Sequence, residues 1–190
     1  TVSITEKDCY EIASKADWKT FCDLVEDGQT AVDAKMTKDV NLETDITMAG
    51  TVNKPYAGTF DGQNHTLTVN WDAGSTNDVA PFGRVNGATI KNLRTQGKIA
   101  SNNFALSGLI YCAYGSTTIS GCVSDVDLTC NNPYVESQLG GMLSSIYYGS
   151  DVTFTDCIVK GKFNKTFEEA LFFVSGFSKQ QDGTFTFNNC

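Results

Sequence analysis

The sequence predicts an all-β fold, a right-handed parallel β-helix with a short N-terminal capping helix, and three observations carry that prediction. A quartet recurs at intervals of roughly 30 residues, as Ile90-Lys91-Asn92-Leu93, Ile119-Ser120-Gly121-Cys122, Phe154-Thr155-Asp156-Cys157 and Phe187-Asn188-Asn189-Cys190. Upstream of the four copies stands a second apolar landmark, Phe82, Ile110, Leu143 and Phe177 in turn. Downstream the period becomes two: Leu93, Thr95, Gly97, Ile99, then Cys122, Ser124, Val126, Leu128, then Cys157, Val159, Gly161, Phe163. Alternation marks strands with one buried face. A lone coil of this length cannot bury that face, so neighbouring coils must stack and share one core.

Taken in chain order, residues 1–30 form a capping segment. Trp18, Phe21, Cys22 and Val25 fall at helical spacing behind Asp17 as N-cap, with Gly28 as the stop signal. Val32, Ala34, Met36 and then Val40, Leu42 alternate as strands, and Gly58-Thr59-Phe60-Asp61-Gly62 reads as a tight turn into Leu67, Val69 and Trp71. These are less regular first coils, reaching to about residue 80; the regular coils occupy 82–190, and the whole chain, 1–190, is one domain. Polar turn residues around Asn102-Asn103 and Asn131-Asn132-Pro133 absorb the length differences between coils as surface loops. The fourth repeat reaches Cys190 at the first position of what should be its last strand, so the chain is expected to be a fragment of a longer one.

The alignment also sets outward residues side by side: Arg94, Val123, Ile158; then Gln96, Asp125, Lys160; then Lys98, Asp127, Lys162. Two of these columns place Asp beside Lys, and opposite charges on adjacent strands favour one register. Each exposed pair contributes only about 0 to 1 kcal/mol, so its value lies in alignment. Asp125 and Asp127 also have the form of a hydrolase carboxylate pair, with Lys160 or Arg94 neutralising an acidic sugar. The charge ladder explains both without chemistry and is the preferred reading.

Composition narrows the function classes. Charged residues make up only 19% and Pro numbers 3 against 17 Gly, which suits short strands and tight turns. A formal net charge of -8 disfavours binding to a phosphate backbone, so no nucleic-acid partner is expected. No apolar run approaches the roughly 18 residues of a membrane span. The seven cysteines contain no C-x-x-C and His65 is the single histidine, which leaves no zinc set and no expected cofactor. His65 follows Asn64 in a turn, where it is expected to hydrogen-bond locally. Cys122, Cys157 and Cys190 share an inward column and are expected as free, buried thiols. A cross-rung disulfide is the alternative, disfavoured because stacked side chains run parallel about 4.8 Å apart. Free thiols are unusual in an oxidising compartment, and an anaerobic habitat would reconcile the two.

The motifs resemble those of the GLUG-motif family of bacterial surface proteins. They are Gly58-Thr59-Phe60-Asp61-Gly62-Gln63-Asn64-His65-Thr66-Leu67, Ser107-Gly108-Leu109-Ile110, Gly140-Gly141-Met142-Leu143 and the quartets ending in cysteine. The chain departs where that family closes its motif with Gly, having Tyr111, Ser144 and Ser178 there. The resemblance implies a secreted or surface-attached module, adhesin-like and extracellular.

Tyr111, Tyr114, Tyr147 and Tyr148, with Tyr134 in a nearby loop, recur at similar positions of adjacent coils and form a candidate aromatic platform for sugar rings. The expected function is therefore a non-catalytic, monomeric β-helix module that contacts glycan or a host surface protein, or acts as a spacer. The alternative is a carbohydrate-active enzyme of the pectin-lyase-like class.

Overall fold

The computed structural model describes residues 9–102, 105–131, 138–164, 173–174 and 182–190. They form a parallel β-solenoid of about 5 turns closed at one end by a helix, the parallel β-helix expected from the repeats. Its first face carries β1 (Tyr10–Ile12), β2 (Ala34–Met36), β4 (Thr59–Asp61), β7 (Thr89–Lys91), β11 (Ser116–Ser120), β15 (Asp151–Thr155) and β18 (Thr184–Asn188), stacked in that order. The second carries β3 (Val40–Asn41), β5 (Thr66–Asp72), β8 (Arg94–Ser101), β12 (Val123–Cys130), and the pair β16 (Ile158–Val159) and β17 (Phe163–Asn164). The third carries β6 (Phe82–Asn86), β10 (Ile110–Tyr114) and β14 (Leu143–Ile146), with β9 (Ala105–Ser107) pairing β13 (Gln138–Gly140) beside it.

The repeat landmarks stack in register. Ile90, Ile119, Phe154 and Phe187 pair in sequence along the first face, and Phe82, Ile110 and Leu143 along the third. The partner of Leu143 in the next coil is Val174, three positions before the expected Phe177, which lies outside the described residues. In each of the four quartets the chain leaves the first face through a single left-handed residue: Asn92 (φ 51°), Gly121 (φ 60°), Asp156 (φ 52°) and Asn189 (φ 52°). Asn, Asp and Gly are the residues that enter this region at least cost. The third position of the quartet is therefore a corner.

Two boundaries differ from expectation for physical reasons. The helix α1 runs Lys15–Glu26 with Ser14 as N-cap, its Oγ accepting from Asp17 N at 3.2 Å. Asp17 sits inside the first turn and reaches back, accepting from Ala13 N at 3.0 Å, so its carboxylate ties the residue before the cap to the start of the helix. Thr59–Asp61 is a strand, because Phe60 is fully buried between its register partners Ala34 and Ile90. The turn falls later, at Gln63 and Asn64, both left-handed.

Helix α1 covers the end of the core. Trp18 and Phe21 are fully buried, and their rings meet Phe60, Phe82 and Tyr56 with centroids 5.3 to 5.9 Å apart. Trp18 Nε1 donates to Thr47 O at 2.9 Å, so the indole is buried without an orphan donor.

Candidate functional site

The third face carries the tyrosines. Ile110 and Ala113 both point inward, in register with Phe82 and Val85, so the strict alternation of a strand is broken across the two residues between them. The break leaves Tyr111 and Tyr114 both on the outer side, half-buried. Tyr147 follows β14 and is hydrogen-bonded through its backbone N–H to Ala113 O at 2.8 Å, which sets its ring one coil from Tyr114. The two rings stack, centroids 5.0 Å apart and planes 23° from parallel. Tyr147 is 60% exposed and Tyr148 65%, and the Tyr148 hydroxyl donates to Asp182.

Arg84 organises the base of this patch. Its guanidinium lies 4.7 Å from the centre of the Tyr111 ring, donates through Nε to Tyr114 Oη at 3.3 Å and through a terminal nitrogen to Asp78 at 3.1 Å. Burial alone would lower the pKa of Arg84, yet its bonds to Tyr114 and Asp78 raise it. Burial, and the facing Asp78 carboxylate that Tyr111 contacts, push the Tyr111 phenol up. With one face under Arg84 and its hydroxyl at Asp78, Tyr111 braces the patch. The rings most open to solvent are Tyr147 and Tyr148, with half-buried Tyr114 stacked on Tyr147. Tyr134 lies outside the described residues. Sequence reasoning did not single out Arg84 or Asp78; the available signal was an arginine within an otherwise uncharged third-face strand, one register step from Cys112.

A second feature lies on the outside of the second face, where Thr68, Gln96, Gly97, Asp125, Asp127, Lys160 and Lys162 line a groove of about 390 Å³. The expected columns are in register, with Gln96 beside Asp125 and Lys98 beside Asp127. The ionic contacts differ from a straight ladder. Asp125 pairs diagonally with Arg94 at 2.7 Å, and Asp127 accepts the backbone N–H of Lys162 at 2.9 Å. A diagonal partner wins at Asp125 because the guanidinium reaches across one coil and two positions, a span open to a long side chain. Gln96 donates to Thr68 at 3.0 Å, extending a polar row along the groove.

His65 is a turn residue, with Nδ1 3.2 Å from Asp39 Oδ1. Among the described residues no group of three or more His, Cys, Asp or Glu is placed to hold a metal ion, and no helix is long and apolar enough to cross a membrane. None of the seven cysteines forms a disulfide. Burial pushes the Cys22 thiol up; at Cys122 the contact with Cys157 and then burial do the same. Compared with protein-family models, curated proteins and solved structures, the chain matches none.

Proposed function

We propose that this β-solenoid is a non-catalytic module of a secreted or cell-surface protein that binds carbohydrate on its third face. The observation that carries the reading is the stacked pair Tyr114 and Tyr147, with Tyr148 beside it, held on an Arg84–Asp78–Tyr111 base. A sugar ring presents an apolar C–H face and a rim of hydroxyls. Exposed tyrosines offer the matching apolar surface, and their hydroxyls offer the polar handle. Preorganisation matters because a platform already stacked pays little conformational entropy on binding. The resemblance to GLUG-motif surface proteins supports the same class and the extracellular setting.

The enzymatic alternative draws on the groove that contains Asp125 and Asp127. Arg94 engages the first and a backbone N–H the second, an arrangement that favours the structural role. A glycan array together with a cleavage panel of neutral and acidic polysaccharides separates the readings. The proposal expects binding without cleavage, abolished by Tyr147→Ala. Cleavage lost on Asp125→Asn or Asp127→Asn would overturn it.

A further inference from the structure

Just past each corner the same inward position carries a cysteine in three successive coils, Cys122, Cys157 and Cys190. Their backbones are translated copies. The residues two before them, Ser120, Thr155 and Asn188, are register partners, and each cysteine follows a left-handed residue. The sulfurs are copies as well. Cys122 Sγ lies 3.4 Å from Ser120 O and 3.6 Å from Ile90 O, and Cys157 Sγ lies 3.4 Å from Thr155 O and 3.5 Å from Ile119 O. Ile90 and Ile119 are themselves register partners. Cys190 Sγ keeps the first of these contacts, 3.4 Å from Asn188 O. Cys157 interacts with the thiol on either side of it.

Atoms in equivalent places on stacked strands are separated by one strand spacing, about 4.8 Å. That gap is wrong for a disulfide, whose sulfurs lie about 2.05 Å apart with a torsion near 90°, since parallel side chains would have to swing towards each other. It suits a soft cation held between two thiolates. Two metal–sulfur bonds of about 2.3 Å laid end to end span about 4.6 Å. The cysteine side chains project across the column, so a cation on its axis meets each sulfur at a wide angle to the Cβ–Sγ bond, where thiolate lone pairs lie.

We propose that the Cys122–Cys157–Cys190 column is a binding site for a soft, two-coordinate cation of the Cu(I) class, bridging neighbouring thiolates along the stack. Binding forms two metal–sulfur bonds and releases two thiol protons to water; no electron is transferred. Zinc takes three or four side-chain ligands, and the column offers a cation two sulfurs, the number that a soft two-coordinate ion needs.

Reduced protein titrated with Cu(I) under argon, in competition with the chromophoric chelator bathocuproine disulfonate, tests the site. X-ray absorption of the loaded protein then counts the sulfur neighbours. The expected result is one tight equivalent with two sulfurs, weakened at least tenfold by Cys190→Ser and by Cys157→Ser, and unchanged by Cys9→Ser or Cys112→Ser. The circular dichroism spectrum of each serine variant is compared with the parent, and Cys190→Ser alone decides the comparison if Cys157→Ser fails to fold. Affinity unaffected by either column substitution, three or more sulfur neighbours, or a Cys157–Cys190 disulfide in the purified protein would each overturn the proposal.

Discussion

Thr95 and Ser124 stand side by side inside the solenoid, register partners on neighbouring coils, and neither hydroxyl has a hydrogen-bond partner. A buried hydroxyl without a partner costs about 1–3 kcal/mol of desolvation. Thr95→Val keeps the β-branched shape and removes that cost. The variant is expected to be more stable by about 1 kcal/mol, read as a rise in the thermal midpoint. A fall would mean that the hydroxyl is satisfied in solution.

Gly97 has φ 113° and a Cβ there would sit 2.0 Å from Val69 O on the coil below. Both the backbone conformation and the approach require glycine. Gly97→Ala should therefore cost about 3 kcal/mol or more in chemical denaturation. At the corner residue Asn92, by contrast, Asn92→Gly keeps access to the left-handed region and gives up the amide's hydrogen bond to Asp61, so it should cost about 1 kcal/mol, well below Gly97→Ala.

Arg84 ties Tyr111, Tyr114 and Asp78 together, with its side chain 20% and that of Asp78 29% exposed. Removing it in Arg84→Ala leaves the Asp78 carboxylate without its cation and frees both rings. The expected stability loss is about 1–2 kcal/mol, and the Tyr114 and Tyr147 ring resonances should broaden in NMR spectra. Unchanged spectra would assign the ring order to stacking alone.

Among the described residues three carboxyls are held below their ordinary pKa. The Ser14 hydroxyl and then Ala13 N–H lower Asp17, and Thr66 N–H followed by His65 lowers Asp39. Burial pushes Asp61 up, but Gln63 N–H, the Asn92 amide and Lys91 together outweigh it. A carboxyl depressed in the folded state binds its proton more readily when unfolded, so its contribution is full above the unfolded value of about 3.9 and disappears as pH falls through the folded value. The urea midpoint should be flat from pH 7 to about 5 and drop below about pH 4. Ser14→Ala removes the N-cap and should lower stability at neutral pH by about 1 kcal/mol.

The repeats made the solenoid legible because stacked coils impose the same burial on equivalent residues: the columns through Ile90, Ile119 and Phe154 and through Thr95 and Ser124 recur in the sequence and stack in that register. What escaped were features set by contacts between distant segments. Asp17 looked like the cap, but Ser14 has the extended backbone a cap needs, φ -151°. Thr59–Asp61 looked like a turn, and burial of Phe60 against the helix made it a strand. In the candidate site the tyrosines were visible as recurring aromatics. Arg84 and Asp78 were not, since Asp78 reaches its partner through a left-handed loop residue that no repeat anticipates.

The central claim is that the Tyr114–Tyr147 stack is a carbohydrate-binding platform, and it is tested most directly by calorimetric affinity of an array-positive glycan for the parent protein, Tyr147→Phe and Tyr147→Ala. Tyr147→Phe should keep the affinity within about threefold, because the stacking face survives. Tyr147→Ala should lose at least about tenfold, a change of about 1.4 kcal/mol. Equal affinity for all three proteins, or no glycan bound by the parent, would contradict the account.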